Sequence, residues 1–341
     1  MVSDPDLSRN GSRRGARPTV RLDLNILPFV NERALRRAFT GGSIDELGAY
    51  PDPTAEPLRV AISARLDVPP SSVWVGNGAD DLLERFLRVG VRSRGTVALL
   101  DPSFGMYSWI ARQYRRRVAS VPAEETLPVD ELVRRRADAY VVCSPNNPTG
   151  AAFGRRQVEE LIARTSVPVL LDEAYAEFAG QDFRDLARSE PRVLVVRTFS
   201  KAYGLSGIRV GYALGHPSAI RRLAESTPPF HLNVFSQRAA IAALEDPAFV
   251  ARAVAFVRRL RPRLETGLRR LGWPVRPSVA NFLRVGPIRS ADRVAARLEA
   301  AGWRVRLLER GGPGPGGYLR ISVGTPGQIR GLLRALGRAP Q

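Results

Sequence analysis

Lysine is almost absent from this chain. Among its 52 Lys and Arg residues only Lys201 is a lysine, and it lies in the stretch TFSKAYG at 198–204. A coding bias toward arginine could have left this lysine by chance, on a solvated face. Alternatively, chemistry requires it, because arginine stays protonated whereas a desolvated lysine can lose its proton and form a Schiff base. The sequence context of Lys201 can distinguish between the two explanations.

Cysteine, histidine and long apolar runs are also scarce. Cys143 is the only cysteine and there are two histidines, which excludes an internal disulfide and a Cys/His zinc cluster. No apolar run approaches the roughly 18 residues that a membrane span requires. Arg13 and Arg14 form a twin pair, but no apolar stretch follows them as a secretion signal would need. We therefore expect a soluble, cytoplasmic protein with no metal and no membrane partner.

Acidic residues are outnumbered, and the formal net charge is +19. Such a charge could indicate a nucleic-acid partner. The basic residues, however, occur in short groups along the whole chain, and most of these groups lie in stretches typical of helices. We therefore expect no nucleic-acid partner, although the field of the protein could attract anionic substrates, phosphorylated ones included.

Short apolar runs are what the sequence does contain. Its 341 residues, 44% of them hydrophobic, suffice for a large core and suggest two domains or one large domain with an appendage. Nearly continuous apolar runs alternate with amphipathic segments such as 155–164, which predicts strands at 96–101, 138–143, 167–173 and 193–200. This alternation indicates an α/β fold, with a mostly parallel sheet covered by helices on both faces.

The ends of these strands carry chemistry. Ligands of parallel sheets bind beyond the carboxyl ends of the strands. The four predicted strands end in polar or aromatic groups at Asp101 to Phe104, Ser144 to Gly150, Asp172 to Tyr175 and Ser200-Lys201. Lys201 is therefore predicted at a sheet edge and not on a solvated helix, which favours the chemical explanation.

A glycine-rich turn indicates an anion at the same place. The stretch GNGADDLLERFLR at 76–88 predicts a turn that opens a helix. Free N–H groups around Ala79 and Asp80, together with the helix dipole, would bind a phosphate. Glycine followed by aspartate is also an ordinary turn and N-cap. Ser200 and Arg209 would add a hydroxyl and a guanidinium to the same anion.

Seven motifs, taken in order, resemble those of one enzyme family. They are YPD at 50–52, GNGADD, DPSFGMY, SPNNPTG, DEAYAEF, RTFSKAYGLSGIRVGY and YLRISVGT. From about Leu22 to Leu336 the chain resembles the fold-type I aminotransferases that depend on pyridoxal 5'-phosphate (PLP), and most of all the histidinol-phosphate aminotransferases. The resemblance implies a PLP cofactor, a mostly parallel central sheet with helices on both faces, and a smaller α/β domain.

The resemblance also implies roles for individual residues. Lys201 would hold the cofactor aldehyde as a Schiff base and later move a proton between the substrate Cα and the cofactor. Asp172 would pair with the pyridine nitrogen. Asn147 and Tyr175 would hydrogen-bond the phenolic oxygen, and Phe104 would stack on the ring. The implied phosphate contacts are Gly78, Ala79, Asp80, Ser200, Arg209 and, from the neighbouring subunit of a homodimer, Tyr50.

Several of these residues could also be explained by local structure alone, without a role toward a cofactor. Asp172 could be a strand-end turn residue, and NNPTG around Asn147 is itself a good turn. Phe104 taken alone would more often belong to the core, and Tyr50 could simply follow the geometry of a proline-led turn. The presence of all seven motifs in order favours the functional interpretation.

Substrate residues are less clearly marked. Arg320 in YLRISVGT matches the arginine that binds the substrate's carboxylate or phosphate, and Arg306 is a second candidate. Between them GGPGPGG, at 311–317, could form a mobile loop over the site. The family usually carries Asn-Glu-Asn-Pro near the amino terminus, whereas this chain has Asn25-Ile-Leu-Pro28. The loss of the polar pair favours a less polar substrate side chain, and Asn25-Ile26 faintly resembles threonine-phosphate decarboxylases.

Three functions follow, of which an aminotransferase is the leading one. It would exchange an amino group between an anionic, histidinol-phosphate-like amine or amino acid and a 2-oxo acid. The second is another PLP reaction: decarboxylation, elimination, cyclisation or racemisation. The third, a basic nucleic-acid-binding regulator, has no added binding motif to support it. We expect a disordered arm at 1–20, a large domain at 45–245, and a small domain from 21–44 and 246–338.

Overall fold

The computed structural model describes residues 19–43, 45–308 and 316–337. The strands in this part of the chain are β1 (Val20–Arg21), β2 (Val73–Gly76), β3 (Thr96–Asp101), β4 (Arg117–Pro122), β5 (Ala139–Cys143), β6 (Val169–Asp172), β7 (Val193–Thr198), β8 (Gly211–Gly215), β9 (Phe282–Ile288), β10 (Trp303–Arg304), β11 (Arg306–Leu308) and β12 (Gly317–Ser322). The helices are α1 (Glu32–Thr40), α2 (Asp45–Gly48), α3 (Glu56–Leu66), α4 (Ala79–Val89), α5 (Gly105–Gln113), α6 (Val129–Arg134), α7 (Arg155–Ala163), α8 (Ala176–Ala179), α9 (Arg184–Ser189), α10 (Pro217–Glu225), α11 (Val234–Leu244), α12 (Pro247–Arg270), α13 (Ala291–Ala300) and α14 (Pro326–Gly337).

The two segments that the sequence predicts to be disordered or mobile lie mostly outside the described residues. The expected arm at 1–20 lies outside the described residues up to position 18, and Val20 already pairs with Trp303 in the strand pair β1–β10. Residues 311–315 of the expected loop also lie outside the described part.

A seven-stranded sheet forms the centre of the molecule, in the order β2-β8-β7-β6-β5-β3-β4. The five strands from β7 to β4 run parallel, and β8 runs antiparallel to both of its neighbours. The predicted mostly parallel sheet is confirmed, and the four predicted strands are β3, β5, β6 and β7. Sequence analysis missed the edge strand β4, whose residues are mostly exposed or half-buried and form no apolar run.

Helices cover both faces of this sheet because its strands are apolar on both sides. Along β3, Val97 and Leu99 pack in one core, whereas Ala98 and Leu100 pack in the other. Burial of each such Val or Leu side chain contributes about 1.5 to 3 kcal/mol. The two cores fix the strands, and so they fix the positions of the strand-end loops.

A second, smaller sheet has the order β11-β12-β9 and is antiparallel. Its core combines Phe282 and Ile321 with the buried faces of α12, α13 and α14, and with Leu22 and Leu27 from the start of the described chain. Ala34 of α1, by contrast, packs in a core of the central sheet. The domain boundaries expected from the sequence stay predictions. Among the described helices, none combines the length and the apolar character needed to cross a membrane.

Candidate active site

The loops after β5, β6 and β7 converge on one edge of the central sheet. These three strands are neighbours and parallel, so their carboxyl ends lie side by side. Asp172 is the last residue of β6, and Asn147 and Lys201 follow β5 and β7 within a few residues. The topology therefore gathers a carboxylate, an amide and an amine.

Lys201 is half-buried at this edge, not on a solvated helix. Its Nζ donates a hydrogen bond to the carbonyl oxygen of Leu24 at 3.1 Å and lies 5.5 Å from the centre of the Tyr175 ring. Burial and, to a smaller extent, the positive charge of Arg320 lower the pKa of Lys201 to about 8, although Asp80 and Asp172 oppose this shift. At pH 7 about a tenth of this amine is therefore unprotonated, and the unprotonated form is the one that acts as a nucleophile.

Asp172 is 3% exposed. Its Oδ1 accepts a hydrogen bond from the backbone N–H of Ala174 at 3.0 Å, and its Oδ2 accepts one from the hydroxyl of Tyr107. Burial raises the pKa of Asp172 to about 6, although both hydrogen bonds lower it. At neutral pH the carboxylate is still mainly ionised, so it can pair with a protonated ring nitrogen.

The glycine-rich turn and Arg209 surround a common point. Gly78 precedes α4 with φ of 83° and provides no side-chain cap, so the first N–H groups of the helix remain available to a ligand. The positive φ of Gly78 favours glycine, and a Cβ there would lie 2.5 Å from a guanidinium nitrogen of Arg209 and displace it. Arg209 pairs with Asp80 at 3.0 Å and lies 3.5 Å from the Ser200 hydroxyl. The cradle has the donors that a phosphate needs.

Arg320 joins the small sheet to the central one. One guanidinium nitrogen donates to Oδ1 of Asn147 at 2.6 Å, and the other donates to the carbonyl oxygen of Asp23 at 2.5 Å. The guanidinium also lies over the ring of Phe282, 5.6 Å from its centre. Its buried Nε has no hydrogen-bond partner among the described residues. Arg306 lies opposite Arg320 on the neighbouring strand, so both start from the same face of the sheet.

Asn25 brings the amino-terminal segment into the site. Its side-chain Nδ2 donates to the hydroxyl of Tyr175 at 3.0 Å, and its backbone N–H donates to the Ser322 hydroxyl at 2.9 Å. Its φ is 53°, a conformation that asparagine tolerates better than most residues. Ile26 next to it is half-buried, whereas Leu27 is 6% exposed and packs in the small-domain core. Leu27 therefore belongs to the core, and the expectation of a less polar substrate side chain stays a prediction.

Two aromatic candidates differ in their surroundings. Phe104 is half-buried at the start of α5, where its ring meets that of Tyr107 edge to face at 5.5 Å. Tyr50 is 83% exposed and stacks on Phe230 at 4.7 Å. An exposed tyrosine agrees with a contact to a second subunit, but the roles of both residues toward a cofactor stay predictions.

Sequence analysis assigned no role to several residues that build the site. Tyr107 contacts Asp172, and its position three residues after Phe104, on the same helix face, was a usable signal. Asn146 ties two strand-end loops together, donating to the carbonyl of Pro102 at 2.9 Å and accepting from Ser103 at 2.8 Å. The backbone carbonyls that contact Lys201 and Arg320 left no signal, because a carbonyl is common to every residue.

Comparison with known proteins adds independent findings. The family model described as "Aminotransferase class I and II" matches residues 19–336. A histidinol-phosphate aminotransferase of Roseiflexus castenholzii is 37% identical, over 93% of this chain and 88% of the relative. The histidinol-phosphate aminotransferase of Sinorhizobium meliloti, solved in complex with pyridoxal-5'-phosphate, superposes with a TM-score of 0.87 at 25% identity, covering 95% of this chain and 91% of that one.

A further solved structure resembles this chain in its fold, at a lower sequence identity. The L-threonine-O-3-phosphate decarboxylase of Porphyromonas gingivalis has a TM-score of 0.82 at 24% identity, over 93% of this chain and 98% of that one. The architecture is therefore common to enzymes that break different bonds, so the side chains must decide between reactions.

Proposed function

The chain belongs to the class I and II aminotransferase family, and on this premise we propose that it transfers amino groups between an anionic amino donor and a 2-oxo acid, with PLP held at Lys201. The expected fold type I, the family and the transferase activity agree with the findings above. The observation that carries the proposal is the position of Lys201, the chain's single lysine, beside Asp172 and Asn147 at one sheet edge.

The residues present fit PLP. The cradle of Gly78, Ala79, Ser200 and Arg209 combines the first N–H groups of a helix, a hydroxyl and a guanidinium, and these donors suit a phosphate. Lys201 has the lowered pKa that condensation with an aldehyde requires. When bound, PLP supplies a protonated ring that accepts the electrons left on the substrate Cα.

The chain's own residues supply the remaining steps. Asp172, ionised at neutral pH, would hold the proton on the pyridine nitrogen. The Nζ of Lys201 would remove the proton from the substrate Cα and deliver it to the cofactor. In the second half of the exchange it would move a proton in the reverse direction. Asn147 and Tyr175 would donate to the phenolic oxygen, and Phe104 would cover one face of the ring.

The substrate requires an anionic group in this proposal. Arg320 has an unpartnered Nε and is bonded to uncharged acceptors, the Asn147 amide and a backbone carbonyl. A carboxylate or phosphate would replace such contacts with a charge-assisted, bidentate pair. Arg306, on the same face of the sheet, would bind a second negative charge. The relatives named for histidinol phosphate support a phosphorylated donor of that type.

We further propose that the enzyme works as a homodimer in the cytoplasm. The 83% exposure of Tyr50 and the exposed ring of Phe230, on which it stacks, support a second subunit on this surface. Tyr50 would then reach the phosphate of the partner's cofactor. The unpaired Cys143 is compatible with a reducing compartment.

A donor screen read by absorbance tests the function. The protein purified with PLP should be yellow, and histidinol phosphate or another anionic amino donor should convert the colour to that of the amine form. Addition of 2-oxoglutarate should restore it. Release of carbon dioxide without an oxo product would instead indicate a decarboxylase, and a colourless protein that binds nucleic acid would contradict the proposal altogether.

A further inference from the structure

Tyr107 is a buried residue that the steps above do not use. It is 1% exposed, and its hydroxyl donates a hydrogen bond to Oδ2 of Asp172. The other carboxylate oxygen of Asp172, Oδ1, accepts from the backbone N–H of Ala174 at 3.0 Å. Tyr107 is therefore the side chain that orients this carboxylate from the helical side of the site.

Helix α5 couples this hydroxyl to the predicted ring contact. Phe104 immediately precedes the helix and Tyr107 lies in its first turn, so the two side chains share one face. Their rings meet edge to face, with centres 5.5 Å apart and planes at 87°. One helical turn thus carries both the aromatic residue expected to cover the cofactor ring and the donor that holds Asp172.

We propose that Tyr107 is a positioning residue: its hydroxyl fixes the orientation of the Asp172 carboxylate and favours the anionic form that pairs with the cofactor's pyridine nitrogen. This inference rests on the proposed function, since it concerns the group that Asp172 would bind. Tyr107 itself touches Asp172 and not the reacting atoms.

The charges around Asp172 explain why a donor is needed there. Burial and, to a smaller extent, the negative charge of Asp80 on α4 raise the pKa of Asp172 to about 6. Lys201, after β7, lowers it, as do the two hydrogen bonds. Cys143 on β5 and Tyr175 also interact electrostatically with Asp172, but burial raises the pKa of each well above neutrality, so both stay uncharged.

Tyr107 is suited to this task because it cannot itself ionise in the working range. Burial, with the nearby Asp172 charge, raises the pKa of Tyr107 well above that of an ordinary tyrosine. Its O–H is therefore a permanent donor, and a hydrogen bond to a charged acceptor favours the charged form. Without the Tyr107 hydroxyl, the Asp172 carboxylate would keep only the hydrogen bond from the backbone N–H of Ala174, and its Oδ2 would lose its donor.

The experiment replaces this hydroxyl without changing the packing. Tyr107→Phe keeps the ring, and Tyr140→Phe is the matched control, because Tyr140 is also buried but packs on the opposite face of the central sheet. In cofactor-free protein labelled with carboxyl-13C aspartate, the Asp172 signal is the one lost in Asp172→Asn. Its titration midpoint should rise by about one pH unit in Tyr107→Phe and stay unchanged in Tyr140→Phe.

A second readout uses PLP labelled with 15N in the ring. In the wild-type holoenzyme the shift should be that of a protonated nitrogen, and in Tyr107→Phe it should move toward the unprotonated value as pH rises from 7 to 9. Retention of PLP should weaken about tenfold in Tyr107→Phe. In an Asp172→Asn background the same substitution should have no further effect, since Tyr107 acts through Asp172.

The outcomes separate this inference from the proposed function. If wild-type protein binds no PLP, the function fails, yet the carboxyl titration still tests the contact. If wild type binds PLP and Tyr107→Phe leaves both the Asp172 midpoint and the 15N shift unchanged, the positioning role is wrong. An equal loss of PLP with and without Asp172 would also overturn it, because the effect would then come from packing.

Discussion

The two sides of the site are built in different ways. On the central-sheet side, Asn147, Asp172 and Lys201 each follow the end of a parallel strand, so their positions depend on local chain order and on the sheet. On the small-domain side, Asn25 and Arg320 meet the site through contacts that span 150 to 297 positions of sequence, such as Asn25 to Tyr175 and Arg320 to the Asp23 carbonyl.

This difference has a physical consequence. The central-sheet side is held by two cores that cover both faces of the strands, and its loops are buried from 141 to 150. The small-domain side is held to it by hydrogen bonds from the amino-terminal segment and from Arg320, and by the apolar core that Tyr175 and Phe178 share with the smaller sheet. We expect substitutions on the first side to abolish chemistry, and those on the second to weaken substrate affinity while cofactor binding persists.

The largest effect should come from Lys201→Arg, which keeps the charge but removes the nucleophile. Activity should fall by at least about 10⁴-fold, because both covalent attachment and proton transfer need an amine that can lose its proton. The purified protein should also lack the yellow colour. Colour and turnover that survive this change would mean that the sheet edge is not the reactive side.

Arg320→Ala should give the next largest effect and should separate the two sides. Loss of the guanidinium should weaken binding of an anionic donor by about 2 to 5 kcal/mol, seen as a higher KM. The colour of the cofactor should remain. Arg330→Ala, which removes an exposed arginine of α14, is the control and should change neither quantity. Loss of colour in Arg320→Ala would contradict the assignment of cofactor binding to the central-sheet side and substrate binding to the small-domain side.

Asp172→Asn should stabilise the cofactor-free protein at neutral and higher pH. The pKa of Asp172 is raised from 3.8 to about 6 in the folded state, so the folded state binds this proton more tightly than the unfolded state does. The cost of burying the charge is full above pH 6 and disappears as pH falls to 4. The substitution should therefore add up to about 3 kcal/mol of unfolding free energy at pH 8.

Thermal melts at pH 8 and pH 4.5 measure this effect. The gain in Tm for Asp172→Asn should be large at pH 8 and small at pH 4.5. An equal gain at both values would show that the substitution acts through packing and not through the buried charge. Activity should fall in parallel, since a destabilised carboxylate is what the chemistry uses.

The smallest effect should come from Asn25→Ala. It leaves the buried hydroxyl of Tyr175 without its donor and places alanine at a φ of 53°, which together cost about 1 to 2 kcal/mol of stability. Asn25→Gly removes the same side chain but tolerates this φ, so it should cost less in chemical denaturation. Equal losses in the two variants would show that the backbone conformation does not matter here.

Most of the central-sheet side could be predicted from local sequence patterns. Nearly continuous apolar runs fixed β3, β5, β6 and β7 to within one or two residues, and the polar groups that follow them could only lie at one edge of a parallel sheet. A single lysine among arginines then marked the position that we propose is reactive. The edge strand β4 could not be predicted in the same way, because its residues are mostly exposed or half-buried and form no apolar run.

The remaining contacts of the site arise from packing between segments that are distant in sequence. The contact of Tyr107 with Asp172, the approach of two backbone carbonyls to Lys201 and Arg320, and the turn of Leu27 into the core depend on how distant segments pack. Local patterns report which face of an element is apolar, and they do not report which distant atom will satisfy a given donor. That assignment is made when the smaller sheet and its helices pack against the central sheet, since most buried polar groups must then find a partner.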